Sequence, residues 1–105
     1  AFKKYLNEDE KRRQNATGLY DFDLNLGDSE INYQLAILKE SVSVKKKKTV
    51  KPVVKIKIDD DNLINLYKKN LLLQEAIIQE RVKFTGTKKN IDKFSQLLSD
   101  FLEKN

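Results

Sequence analysis

Apolar residues repeat at every second position over most of residues 20–58 and at every third or fourth position over much of residues 63–102, and that change of period confines the chain to strands followed by helices. Tyr20, Phe22, Leu24 and Leu26 share one side of a strand while Asp21, Asp23 and Asn25 take the other. Gly27-Asp28-Ser29 has turn chemistry, and alternation resumes with Ile31, Tyr33, Leu35 and Ile37, so the two runs read as a β-hairpin. A third alternating run, Val50, Pro52, Val54, Ile56 and Ile58, is interleaved with Lys51, Val53, Lys55 and Lys57. Proline cannot donate to a ladder, which places Pro52 at a sheet edge or a strand entrance.

The period changes at Asp59-Asp60-Asp61-Asn62, where short acceptors suit a helix N-terminus. Leu63, Ile64, Leu66, Tyr67, Leu71, Leu73, Ile77 and Ile78 then form an apolar face wider than a simple amphipathic stripe, in a helix expected to end between Leu73 and Gln79. Residues 81–85 read as a short strand, Gly86-Thr87 as a turn, and Ile91, Phe94, Leu97, Leu98, Phe101 and Leu102 as the buried stripe of a last helix. The expected fold is α+β in two layers: a roughly four-stranded, mostly antiparallel sheet with two long helices on one face, in the order β-β-β-α-β-α. The strands flanking the first long helix are expected to be parallel, joined by a right-handed crossover. Residues 1–18 read as a mobile arm or short helix, and 19–105 as a single α+β domain.

Chemistry is mostly excluded. Among the 105 residues there is no Cys and no His, which removes disulfides, thiolate nucleophiles, the common zinc ligands and the commonest general base. The acceptors from Asp21 to Asn25 resemble the opening of a calcium loop, but Leu26 and Asn32 stand where that loop needs Gly and Glu. Asp59, Asp60 and Asp61 read as a helix cap, not a Mg²⁺ site. Residues 84–91 carry Gly86, Lys88 and Lys89 from strand to helix, which offers charge to a phosphate without matching any phosphate-loop signature. Asn15-Ala16-Thr17 matches a glycosylation sequon, relevant only to a secreted chain. No catalytic residue, metal or cofactor is expected, and the chain reads as a non-enzyme. Its apolar runs, such as Leu71 to Leu73, are too short for a transmembrane segment, and a soluble, intracellular setting, cytoplasmic or nuclear, is expected.

One charge feature stands out. The net charge of +5 is concentrated in residues 42–58, which hold Lys45, Lys46, Lys47, Lys48, Lys51, Lys55 and Lys57 and no acid. Four adjacent ammonium groups repel one another and stay hydrated, so Lys45 to Lys48 read as the exposed tip of a basic hairpin between the second and third strands. The function expected from these residues is a protein-interaction or assembly domain of a larger protein or complex, its basic tip meeting an acidic surface. Leu66, Leu72 and Leu73 on the broad-faced helix are the interface candidates. The alternative is a nucleic-acid-binding module that contacts phosphates through those seven lysines, aided by Lys88 and Lys89. A protein partner or a homo-oligomer is expected, and no small-molecule substrate is evident.

Overall fold

The hairpin forms in the register that the alternation demands. The computed structural model describes residues 2–104, and in it β1 (Gly18–Asn25) and β2 (Glu30–Ile37) pair antiparallel with Tyr20 opposite Leu35, Phe22 opposite Tyr33 and Leu24 opposite Ile31. Gly27 takes φ +93° at the turn, and the Leu26 N–H donates to the Ser29 carbonyl at 2.8 Å. The same side of both strands is thereby apolar throughout.

The lysine-rich stretch behaves differently from a hairpin. It splits into β3 (Val42–Lys45), antiparallel to the outer edge of β2, and β4 (Val54–Asp59), parallel to the far side of β1. The sheet is five-stranded in the order β3-β2-β1-β4-β5, one strand more than the alternation suggests. Because β3 and β4 run in the same direction with two strands between them, residues 46–53 must cross the sheet. They do so as an extended strap over the face that bears Asp21, with the Thr49 N–H 3.5 Å from Asp21 Oδ1 and the Val53 N–H donating to the Leu19 carbonyl at 2.7 Å. The expected exposed tip is therefore a strap, and the reason is Thr49: only 5% exposed, it pins the middle of the segment down.

Asp59 caps the next helix, its carboxylate accepting from the Asn62 N–H at 2.8 Å. The expected long helix is broken into α3 (Asp60–Tyr67) and α4 (Leu73–Ile78). Lys69 turns left-handed at φ +64°, and the Asn70 and Leu71 N–H groups both return to the Asn65 carbonyl. That break sets the phase so that Leu66, Leu71 and Leu73 are all buried while Leu72 is left outside. A straight helix could not have placed all three inward. β5 (Val82–Gly86) then pairs antiparallel with β4, so the parallel crossover expected around this helix is absent; the two short helices let the chain double back.

Gly86 is required by a close approach, since a Cβ there would lie 2.8 Å from the Val53 carbonyl oxygen. Thr87 caps α5 (Lys88–Lys104), and its Oγ1 accepts from the Asn90 N–H at 3.2 Å. α5 lays Phe94, wholly buried, on Tyr20, with ring centroids 4.4 Å apart. Phe2 and Phe22 meet the same ring edge-on at 6.1 and 5.9 Å.

Residues before β1 form α1 (Phe2–Asn7) and α2 (Glu10–Asn15), and Leu6 is fully buried. Two arginines hold them. Arg12 Nη1 donates to the Tyr5 carbonyl while its guanidinium lies 3.8 Å over the Tyr5 ring, and Arg13 donates to the carbonyls of Leu6, Asn7 and Lys39. The carbonyls left free at the end of α1 are satisfied in this way. Tyr20 donates its hydroxyl to the Ala16 carbonyl at 2.6 Å, and burial pushes its pKa up to about 12, so it remains a neutral donor at any ordinary pH.

Candidate functional site

α5 packs against β4 and β5 with Phe94 on Tyr20 and Phe22, while α1 meets β3 and α3 meets β4. They do not fill the space. A cavity of about 210 Å³ remains over the apolar face. Its floor is Phe22 and Leu24 of β1, Tyr33 and Leu35 of β2, Val44 of β3 and Ile58 of β4, and its walls are Phe2 and Lys3 of α1 and Leu63 of α3. Asp23 also borders it, but its carboxylate points through to the opposite face, where it binds Lys55 and Asn32.

The cavity opens to solvent beside Val44 and Leu63, which are 47% and 43% exposed. Apart from Lys3, whose side chain is exposed beside it, and the hydroxyl of Tyr33, its side chains offer hydrocarbon and aromatic surface. Such a lining cannot ionise, polarise or attack a substrate, but it removes apolar surface from water at about 25 cal/mol per Å². The volume lies below the ~300–1,000 Å³ of ordinary ligand pockets, so a ligand larger than a short chain segment must spread the mouth or protrude from it.

On the opposite face the strap covers a polar cluster. Asp21 and Asp23 are 1% and 2% exposed, and Lys55 Nζ stands 3.3 Å from Asp23 Oδ2. Asp21 Oδ2 and Thr49 Oγ1 are both buried without a hydrogen-bond partner among the described residues. Desolvation raises the Asp21 pKa above the usual 3.8, the Asp23 carboxylate raises it further, and the Thr49 N–H and Lys55 oppose the shift. The native state thus holds a proton on Asp21 more tightly than the unfolded chain does, so stability falls as pH rises from 3.8 through the raised value. Asp21→Asn, which keeps an acceptor for Thr49 and gains a donor, is expected to raise stability at pH 7 by on the order of 1 kcal/mol and to flatten that slope. Urea unfolding from pH 3.5 to 7.5 checks it; a variant less stable than the parent at pH 7 contradicts it.

The sequence-selected residues scatter. Lys45 ends β3; Lys46, Lys47, Lys48 and Lys51 lie on the strap with exposed side chains; Lys57 is exposed on β4; Lys55 alone is bound to an acid. Lys88 and Lys89 open α5 next to Gly86 and the end of the strap at Val53. Leu66 and Leu73, read as interface residues, are core side chains at 3% and 5% exposure, and of that trio only Leu72 is on the surface. Of the cavity residues, Phe22, Leu24, Tyr33, Leu35 and Ile58 appeared in the sequence only as inward positions of strands, and Leu63 only as part of a helix face. Nothing in the alternation distinguishes a filled apolar layer from one with a gap.

Fold and cavity define a class: a small α+β domain whose sheet and helices close around an apolar compartment rather than a cleft of polar machinery. A family model described as the SCP-2 sterol transfer family matches residues 2–99, and the chain belongs to this family. No curated protein matches it. Among solved structures it is similar to the sterol carrier protein domain 2 of Helicoverpa armigera, at 20% identity and TM-score 0.81 over 99% of this chain and 84% of that one. It is similar to the apo form of sterol carrier protein 2 from Yarrowia lipolytica, at 14% identity and TM-score 0.73 over 95% and 77%. A third likeness is to the palmitated sterol carrier protein 2 like 2 of Aedes aegypti, at 12% identity and TM-score 0.75 over 91% and 86%.

Membership of a sterol transfer family overturns the expected protein-interaction or assembly function and its nucleic-acid alternative. It overturns equally the expectation that no small-molecule ligand is involved. The lysine run drew the wrong inference because charge is visible in a sequence and an internal void is not. Among the described residues no helix is long and apolar enough to cross a membrane.

Proposed function

We propose that this protein is a lipid carrier that holds the apolar part of its ligand in the cavity between Phe22, Leu24, Tyr33, Val44, Ile58 and Leu63. The observation that carries the reading is the lining itself, an apolar space that opens to solvent at Val44 and Leu63. Family membership and the palmitated Aedes aegypti relative support it. Volume favours a single flexible chain, which can thread into about 210 Å³ and leave its remainder at the mouth, over a rigid fused-ring body. Lys3, exposed beside the cavity, suits a carboxylate head group.

Titration with palmitate, followed by amide and methyl NMR, tests it. Saturable shifts are expected at Leu24, Val44, Ile58 and Leu63, and cholesterol is expected to shift the same residues less or not at all. If neither ligand moves those signals, the cavity is not a lipid site.

A further inference from the structure

The strap carries a combination that sheet packing does not explain. Lys45, Lys46, Lys47, Lys48 and Lys51 are exposed and have no ion-pair partner among the described residues. In their midst Val50 is 83% exposed, more than any other large hydrophobic side chain described. Its placement is enforced from both sides: Thr49 is buried against the sheet, and Lys51 adopts φ +57°, a left-handed conformation that a lysine enters only at a cost. The segment is therefore held with one apolar side chain outward in a run of exposed lysines. On the edge strand Lys45, opposite Gln34, lies on the same face of the sheet as the strap, whereas its neighbour Val44 lies on the cavity face.

We propose that residues 45–51 dock this protein on anionic bilayer surfaces, the lysines on the lipid head groups and Val50 in the interfacial layer. Clustered lysines are attracted to acidic leaflets within a Debye length, and an apolar residue among them gains by partial insertion. A polyanion such as duplex DNA would reward the lysines but has no use for Val50, which is why a bilayer fits better. The docking site rests on the carrier reading for its purpose and not for its binding.

Sedimentation with vesicles tests it, comparing pure phosphatidylcholine with vesicles in which about a third of the lipid is phosphatidylserine. Binding is expected only to the acidic vesicles and is expected to weaken with added salt. Replacing the four residues together (Lys45→Ser, Lys46→Ser, Lys47→Ser and Lys48→Ser) should reduce it on the order of 1,000-fold. Val50→Ser should weaken binding several-fold without changing its salt dependence. Palmitate uptake in solution should be unaltered in both variants, which separates docking from ligand binding. Equal binding to neutral vesicles, full binding by the four-lysine variant, or a Val50→Ser protein that binds acidic vesicles as well as the parent while DNA displaces both would overturn the proposal. Failure of palmitate uptake in the parent would instead remove the carrier reading and leave the vesicle result intact.

Discussion

Phe94→Ala is expected to destabilise the domain by about 3–5 kcal/mol, the range for emptying a fully buried aromatic site. The ring has no solvent exposure, stacks on Tyr20 at 4.4 Å and takes the edges of Phe2 and Phe22, so it joins α5, α1 and β1 at one point. None of those elements can close the hole alone. β1 is fixed between β2 and β4 by ladders on both sides, and α1 is tied by Arg12 and Arg13. Aromatic geometry adds roughly 0.5–1.5 kcal/mol per pair beyond area, which places the loss toward the upper end. Against a total stability of about 5–15 kcal/mol, that is enough to lower Tm by roughly 15–30 °C. Ile78→Ala, at an 81% exposed position, serves as the control and should change stability by no more than about 0.5 kcal/mol. Thermal and urea unfolding of both variants check the pair; a Phe94→Ala loss under about 1 kcal/mol would show that this cluster is not the keystone.

Strands β1, β2, β4 and β5 were legible because each alternates, whereas β3 (Val42–Lys45) is too short to show a period and was not read as a strand. Tyr20 to Leu26 and Ile31 to Ile37 name their own inward sets, and the register that pairs Phe22 with Tyr33 follows from the short turn at Gly27. The last helix was legible for the same reason, its stripe running through Phe94 and Phe101. Connections were harder. Lys45 to Lys48 look like a hairpin tip because lysines avoid burial, yet residues 46–53 are a crossover held by Thr49, a residue with no pattern around it. The break at Lys69 was hidden because lysine is an ordinary helix former, and only the three-dimensional demand of burying Leu66, Leu71 and Leu73 together exposes it. The antiparallel pairing of β4 with β5 follows from that break.

The site was less legible still, for a physical reason. A charged patch is a sum over residues and can be counted, whereas a cavity is a difference between the space that the backbone encloses and the volume that side chains fill. Leu24, Tyr33 and Ile58 have the same apolar character and spacing as the filled positions Tyr20, Val54 and Ile56. What separates the two sets is the placement of α5, which packs on β4 and β5, while α1 meets β3. Lysines therefore dominated the functional reading, although the family is one of sterol transfer.

Leu24→Trp is expected to weaken ligand binding by at least about tenfold, or roughly 1.4 kcal/mol, while leaving the fold intact. Leu24 lies on a central strand with its side chain in the cavity floor, opposite Ile31 and beside Ile58. An indole placed there has empty space to enter, so the usual penalty of about 1–3 kcal/mol for overpacking a filled core should not arise. Leu63→Trp approaches the same space from α3 and should have the same effect, which guards against a strand-specific distortion. Leu72→Trp adds the same bulk at a 57% exposed position outside this cavity and should bind ligand as the parent does. Palmitate affinity and urea stability measured together separate the outcomes. Tight binding by both Leu24→Trp and Leu63→Trp would place the ligand elsewhere on the protein. Unfolding of both would mean that the space closes in solution, because only an already occupied layer rejects an added ring.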